Sequence, residues 1–79
     1  MRLNISGPFE KKDVMVAWVE INTSVGNFVI QPDHAPMIVT LTPQSKIAYR
    51  LQSGKEEVRE VINGVAHVSR KDVTILLTR

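Results

Sequence analysis

His34 and His67 are the only imidazoles in the chain, and there is no cysteine. His34 lies in the stretch VGNFVIQPDHAP, residues 25–36, clamped between Pro32 and Pro36. A fixed imidazole suits general acid–base work, metal ligation or a shaped surface for a partner. A zinc site needs three or four ligands, and without thiolates these two histidines would need converging carboxylates. They are neither an i, i+4 helical pair nor two apart on one strand, so metal binding is not expected. Nucleophilic catalysis needs a serine, a histidine and a carboxylate in mutual reach. Asp33 adjoins His34, but Ser6, Ser24, Ser45, Ser53 and Ser69 all read as turn or strand-end residues. Glu56 and Glu57 are adjacent and would point to opposite faces of a strand. SGKEE mimics the end of a phosphate-binding loop, yet Tyr49 stands where that motif needs its first glycine and no helix follows. No catalytic, cofactor-binding or metal-ligating residue is assigned.

The elements that would position these groups read as strands. RLNIS places Leu3 and Ile5 on one side. VMVAWVEI is apolar on both sides: Met15, Ala17, Val19 and Ile21 share one face, and Val14, Val16, Trp18 and Glu20 the other. Its second face must be covered by this chain or by another; Trp18 is expected to be buried inside the fold before an interface with another chain. NFVIQ alternates Phe28 with Ile30, and MIVTL alternates Met37, Val39 and Leu41. SKIAYRL sends Ile47, Tyr49 and Leu51 inward, and QSGKE turns the chain into EVREVINGVAHV and, past SRKD, into VTILLTR. Asn63-Gly64 in INGV reads either as a hairpin or as a bend between sheets. The shift of inward parity across it favours the bend. Strands of this length with turn signals every 8–12 residues predict an all-β sandwich or barrel of about eight to ten strands in a single domain, residues 1–79.

The totals set bounds. A chain of 79 residues buries only about 60% of its unfolded surface, so its core is thin and a partner can contribute stability. A hydrophobic content of 43% with 23% charged residues is ordinary globular composition. Lack of cysteine excludes disulfides and fits a reducing compartment. The longest apolar run, VMVAWV, is far too short for a membrane span. A formal charge of +2 and scattered lysines and arginines give no phosphate-binding face.

The block Gly26, Phe28, Ile30, Pro32, His34, Ala35 and Pro36, followed by MIVTL and Leu41-Thr42-Pro43, resembles the signature of the epsilon subunit of bacterial rotary ATP synthases (delta in mitochondria). VINGVAHVSRKDVTILLT is similar to the family's later strand, glycine bend and final strands, and LNISGP to its first strand and turn. The chain departs from the family in places. Asn22-Thr23 replaces a common Pro-Gly, Val29 and Asp33 stand where glycine is frequent, and Asn63-Gly64 stands where Gly-Gly is frequent. Members usually continue into a two-helix hairpin, which this sequence does not contain, so it reads as the short form or a truncated one.

The resemblance implies a flattened β-sandwich without catalysis or cofactor of its own. It implies a rotor subunit of the central stalk, coupling the gamma shaft to the membrane c-ring of a proton-translocating synthase. It implies a place peripheral to the cytoplasmic face of the bacterial inner membrane. Carried over by position, Ser6, His34, Pro36 and Val39 are expected at the gamma shaft, and Val25, Gly26, Asn27 and Phe28 at the c-ring. The two prolines are expected to hold the His34 segment extended, reducing the entropy lost on docking. The alternative is a small β-barrel that binds nucleic acid, which would need aromatics and basic residues gathered on one face.

Overall fold

The computed structural model describes residues 1–78. Eight strands follow one another: β1 (Arg2–Gly7), β2 (Glu10–Thr23), β3 (Gly26–Ile30), β4 (Met37–Thr40), β5 (Ser45–Leu51), β6 (Glu56–Val61), β7 (Gly64–Val68) and β8 (Asp72–Leu77), with no helix among the described residues. They run in the order β4-β7-β8-β1-β2-β5-β6, with β3 paired to β2. The last strand expected over VTILLTR ends at Leu77; Arg79 lies outside the described residues.

The 14-residue β2 joins the two layers. Its first half pairs with β1 through a two-residue turn at Pro8-Phe9. Its second half pairs with β3 on one side and β5 on the other. Between Val16 and Trp18 the register with β5 shifts, so one residue is added and the inward parity changes. Val14 and Val16 face inward before the shift, and Val19, Ile21 and Thr23 after it. This corrects the two-face reading of VMVAWVEI: Met15 and Ala17 are exposed and do not share the face of Val19 and Ile21. The strand is apolar on both sides because it serves two sheets. Trp18 is only half-buried, on the outer side of the second layer, and is not a core residue.

Elsewhere alternation decides burial. Leu3 and Ile5 of β1, Val73 and Ile75 of β8, Ala66 and Val68 of β7, and Ile47 and Tyr49 of β5 close the core. β1 and β8 run parallel, with Ile5 beside Ile75, and Ile75 in turn lies opposite Ala66. Asn63-Gly64 is a crossing, not a hairpin: β6 pairs with β5, whereas β7 pairs with β4 and β8. Gly64 is buried there, and a Cβ on it would sit 2.8 Å from the Leu76 carbonyl oxygen.

A charged staple closes the layers where β6 overhangs the start of β2. Arg59 pairs with Glu10, and Lys12 Nζ lies 3.4 Å from Glu57 Oε1 and 5.8 Å from the Tyr49 ring centre. The Tyr49 hydroxyl, with Lys12 beside it, holds the Glu57 carboxyl below its ordinary value of 4.5. Burial pushes Tyr49 above 10.0, and Tyr49 and then Glu57 raise Lys12 above 10.5. A carboxyl with a lowered folded pKa contributes stability above its unfolded value and loses it as pH falls through the folded one. Tyr49 and Lys12, both raised, contribute below their unfolded values and lose it as pH rises through the folded ones. Stability is therefore expected to decline below about pH 4.5 and above about pH 10. Glu57→Gln should flatten the acid limb of a denaturant-midpoint profile; an unchanged limb would show that the staple carries no linkage.

Candidate docking surfaces

The Pro-Asp-His-Ala-Pro segment forms a turn before it extends. The His34 backbone N–H donates to the Gln31 carbonyl at 3.2 Å, Pro32 fills the second turn position, and Asp33 fills the third with φ 67°. This is the type II pattern, which favours glycine at the third position. The expectation of a wholly extended segment is corrected: Pro32 fixes a reversal, and only the stretch after His34 runs on towards β4. The Asp33 N–H donates to the Arg70 carbonyl at 2.8 Å, tying the turn to the β7–β8 connection. Asp33→Gly is expected to keep full stability, whereas Asp33→Val costs about 1–2 kcal/mol; equal denaturant midpoints for the two variants would remove the strain argument.

His34 is half-buried, and its ring Nδ1 lies 2.7 Å from the Ala35 carbonyl oxygen. A carbonyl only accepts, so Nδ1 is the donor in this contact. Pro36 is exposed beside it. Ser6 lies on the outer face of the layer β4-β7-β8-β1-β2, in a row with Leu76 and Lys11. Val39 has the opposite orientation: it pairs with buried Ala66 and packs partly against the core. Its neighbour Ile38, 69% exposed, stands with His67 on the face of Ser6. Leu76 and Met15 add exposed apolar surface there. None of Ile38, Leu76 and Met15 is among the residues that the sequence led one to expect at a partner. Alternation around Leu41 already assigned Val39 inward and Ile38 outward, and that was the signal.

The second set of residues forms one compact feature. Ser24 and Val25 cap the β2–β3 hairpin, in which the Thr23 hydroxyl donates to the Gly26 carbonyl at 2.8 Å and accepts from the Val25 N–H at 3.2 Å. Gly26, with φ 132°, takes a conformation that disfavours side chains. Val25 is 75% exposed at the tip. The Asn27 side-chain amide donates to Glu20 Oε2 and to Asn22 Oδ1, at 3.1 and 2.9 Å. Phe28 faces inward and packs partly on the core, so of the four residues Val25, Gly26 and Asn27 are the accessible ones.

The aromatics do not make a stacking platform. Phe9 projects from the β1–β2 turn, Trp18 lies outside the second layer, and Phe28 and Tyr49 face the interior. His34 and His67 lie on different elements, the first in the turn before β4 and the second on β7. The geometry thus defines a two-layer β-sandwich whose conspicuous side chains lie on faces and rims. The chain belongs to the family described as ATP synthase, delta/epsilon chain, beta-sandwich domain, which matches residues 6–79. Comparison with curated proteins found no match. Among solved structures, a chain of the Euglena gracilis mitochondrial ATP synthase (OSCP/F1/c-ring, rotational state 1) is similar over 98% of this chain and 49% of its own, at 24% identity and a TM-score of 0.88. A chain of the Tetrahymena thermophila mitochondrial ATP synthase central stalk and c-ring is similar over 100% and 63%, at 16% identity and a TM-score of 0.81. The chain therefore spans about half to two-thirds of the length of these structural relatives.

Proposed function

We propose that this domain is a non-catalytic rotor component of a proton-translocating rotary ATP synthase, held in the central stalk between the gamma shaft and the membrane c-ring. The observation that carries the reading is the family match over residues 6–79, on a sandwich whose accessible features suit docking. The gamma-facing surface is the outer face of the β4-β7-β8-β1-β2 layer together with the turn that precedes β4. There Ser6, His34 and Pro36 are joined by Ile38 and Leu76, while Val39 supports β4 from the inside. The ring-facing surface is the β2–β3 hairpin, where Val25, Gly26 and Asn27 make contact and Phe28 anchors the hairpin to the core. The domain works at the cytoplasmic face of the bacterial inner membrane, peripheral through its complex, and needs no cofactor.

Patches that mix apolar and polar groups suit specific contacts, and avidity across two partners adds to each. Copurification with affinity-tagged gamma tests the proposal. The chain is expected to be retained by gamma, and Leu76→Asp, on the exposed face, should abolish retention without unfolding the domain. Retention unaffected by Leu76→Asp would contradict the assigned face, and no retention of the unaltered chain would contradict the function.

A further inference from the structure

We propose that β4 is an open sheet edge that receives an extended strand of the gamma partner, which joins the β4-β7-β8-β1-β2 layer through backbone hydrogen bonds. The inference rests on the rotor reading above and names how its gamma contact is made.

β4 ends the strand order, and its ladder is with β7. The Leu41 N–H donates to the Gly64 carbonyl at 2.9 Å, which fixes the phase of the backbone along the strand. In an antiparallel pair, alternate residues direct their N–H and C=O at the neighbour. Met37, Val39 and Leu41 therefore bond towards β7. The N–H and C=O of Ile38 and Thr40 point away from it, with no strand beyond them among the described residues. This free stretch is short and bounded. Pro36, which has no N–H to offer, precedes it. Beyond it the Thr42 N–H turns to the Asn22 carbonyl of the second layer at 2.9 Å.

The edge is also held taut. On each side a proline is followed by a left-handed residue that carries a side chain: Pro32 by Asp33, φ 67°, and Pro43 by Gln44, φ 53°. The Asp33 N–H donates to the Arg70 carbonyl at 2.8 Å, and the Gln44 N–H to the Ile62 carbonyl at 3.0 Å. Both flanks of β4 are thus tied to the connections at the two ends of β7. Such strained residues persist only where their surroundings hold them, and an edge fixed in this way loses little entropy when a strand is added.

The chemistry of the edge selects its occupant. Free N–H and C=O groups on alternate residues are matched by an extended backbone, whereas a helix bonds its own groups internally and leaves them unpaired. β4 carries no charge, Met37-Ile38-Val39-Thr40. The edge strand β6, by contrast, carries Glu56, Glu57, Arg59 and Glu60, side chains of the kind that keep foreign strands away. Ile38, 69% exposed, places its side chain on the outer face already assigned to gamma, so a gamma segment on this edge continues that contact. A second copy of the chain, paired antiparallel about Val39, would exchange bonds only between Ile38 and Thr40. It would cover neither outer face, and so would bury far less area than a stable dimer needs.

Amide hydrogen exchange of the full chain, alone and with purified gamma, tests the inference. The Ile38 and Thr40 amides should exchange fast in the free chain and about tenfold or more slower in the complex, with Val39 and Leu41 protected in both. Thr40→Pro removes an outward N–H and spares the β7 ladder. It should leave the domain folded and weaken gamma binding about tenfold or more, whereas Thr40→Ala, which keeps the N–H, should lose far less. Gamma binding that leaves the two amides exposed, or that a folded Thr40→Pro variant retains in full, would overturn the added strand while the rotor reading stands. Unfolding of Thr40→Pro would show that this N–H serves β7, and would overturn it as well. So would protection that appears without gamma and grows with chain concentration, the mark of a second copy. If the unaltered chain does not bind gamma, the rotor reading itself fails and the added strand with it.

Discussion

Gly64→Val is expected to remove a large share of the domain's stability. The glycine stands where the chain leaves one layer and enters the other, and even a Cβ would come within 2.8 Å of the Leu76 carbonyl and 3.3 Å of Leu41 Cδ1 and Leu77 Cδ2. The first neighbour is backbone, held in the β7–β8 ladder, and cannot yield without breaking register. Gly64 also accepts from the Leu41 N–H at 2.9 Å, and next to it the Asn63 carbonyl accepts from the Thr78 N–H at 3.1 Å. Displacing this crossing would thus disturb β4, β7 and β8 together. Overpacking of this kind costs about 3 kcal/mol or more. For a domain of this size, whose total is about 4–12 kcal/mol, the melting temperature should fall by more than about 12 °C. Gly64→Ala should show a smaller loss of the same sign. If valine is accommodated with an unchanged melting temperature, the close approach at the crossing is wrong.

A comparable loss is expected for Ile75→Ala. Ile75 is fully buried and lies between Ile5 and Ala66 in the middle of the layer. Because one flank is already alanine, the surrounding side chains have little volume with which to fill a cavity. Removal of an isoleucine side chain in such a setting costs about 3–4 kcal/mol. The adjacent Leu76, 48% exposed on the opposite face, provides the internal control: Leu76→Ala should change stability by about 0.5 kcal/mol or less but weaken gamma binding. Equal denaturation midpoints for the two alanine variants would contradict the assignment of inside and outside on β8.

Much of the fold was legible because strand alternation reports burial directly. Leu3 and Ile5, Ile47 and Tyr49, and Phe28 and Ile30 all lie on the faces their spacing assigns. Alternation fails where the parity itself changes. At Val16–Trp18 a bulge lets one strand serve two sheets, and sequence shows this only as an apolar run with no clean period. Asn63-Gly64 carried the same ambiguity, and only the different partners of β6 and β7 distinguish a crossing from a hairpin. The turn at Asp33 was hidden because a proline-rich segment reads as extended until the positive φ of the third residue is known. The staple of Glu10, Lys12, Glu57 and Arg59 was not legible at all. It joins residues about 45 positions apart, and alternation gives the face of a side chain but not its partner across the core. For the proposed docking surfaces, resemblance suggested the segments, whereas the orientation of the side chains comes from the register: Ile38, not Val39, faces outward.

The central claim is that this domain turns with the shaft, and single-molecule rotation tests it most directly. A bead is attached to the chain through an engineered cysteine, the native sequence having none, in an assembled complex whose catalytic head is immobilised. On adding ATP the bead is expected to rotate in step with one carried by gamma. A bead that stays fixed to the head while gamma rotates would contradict the account.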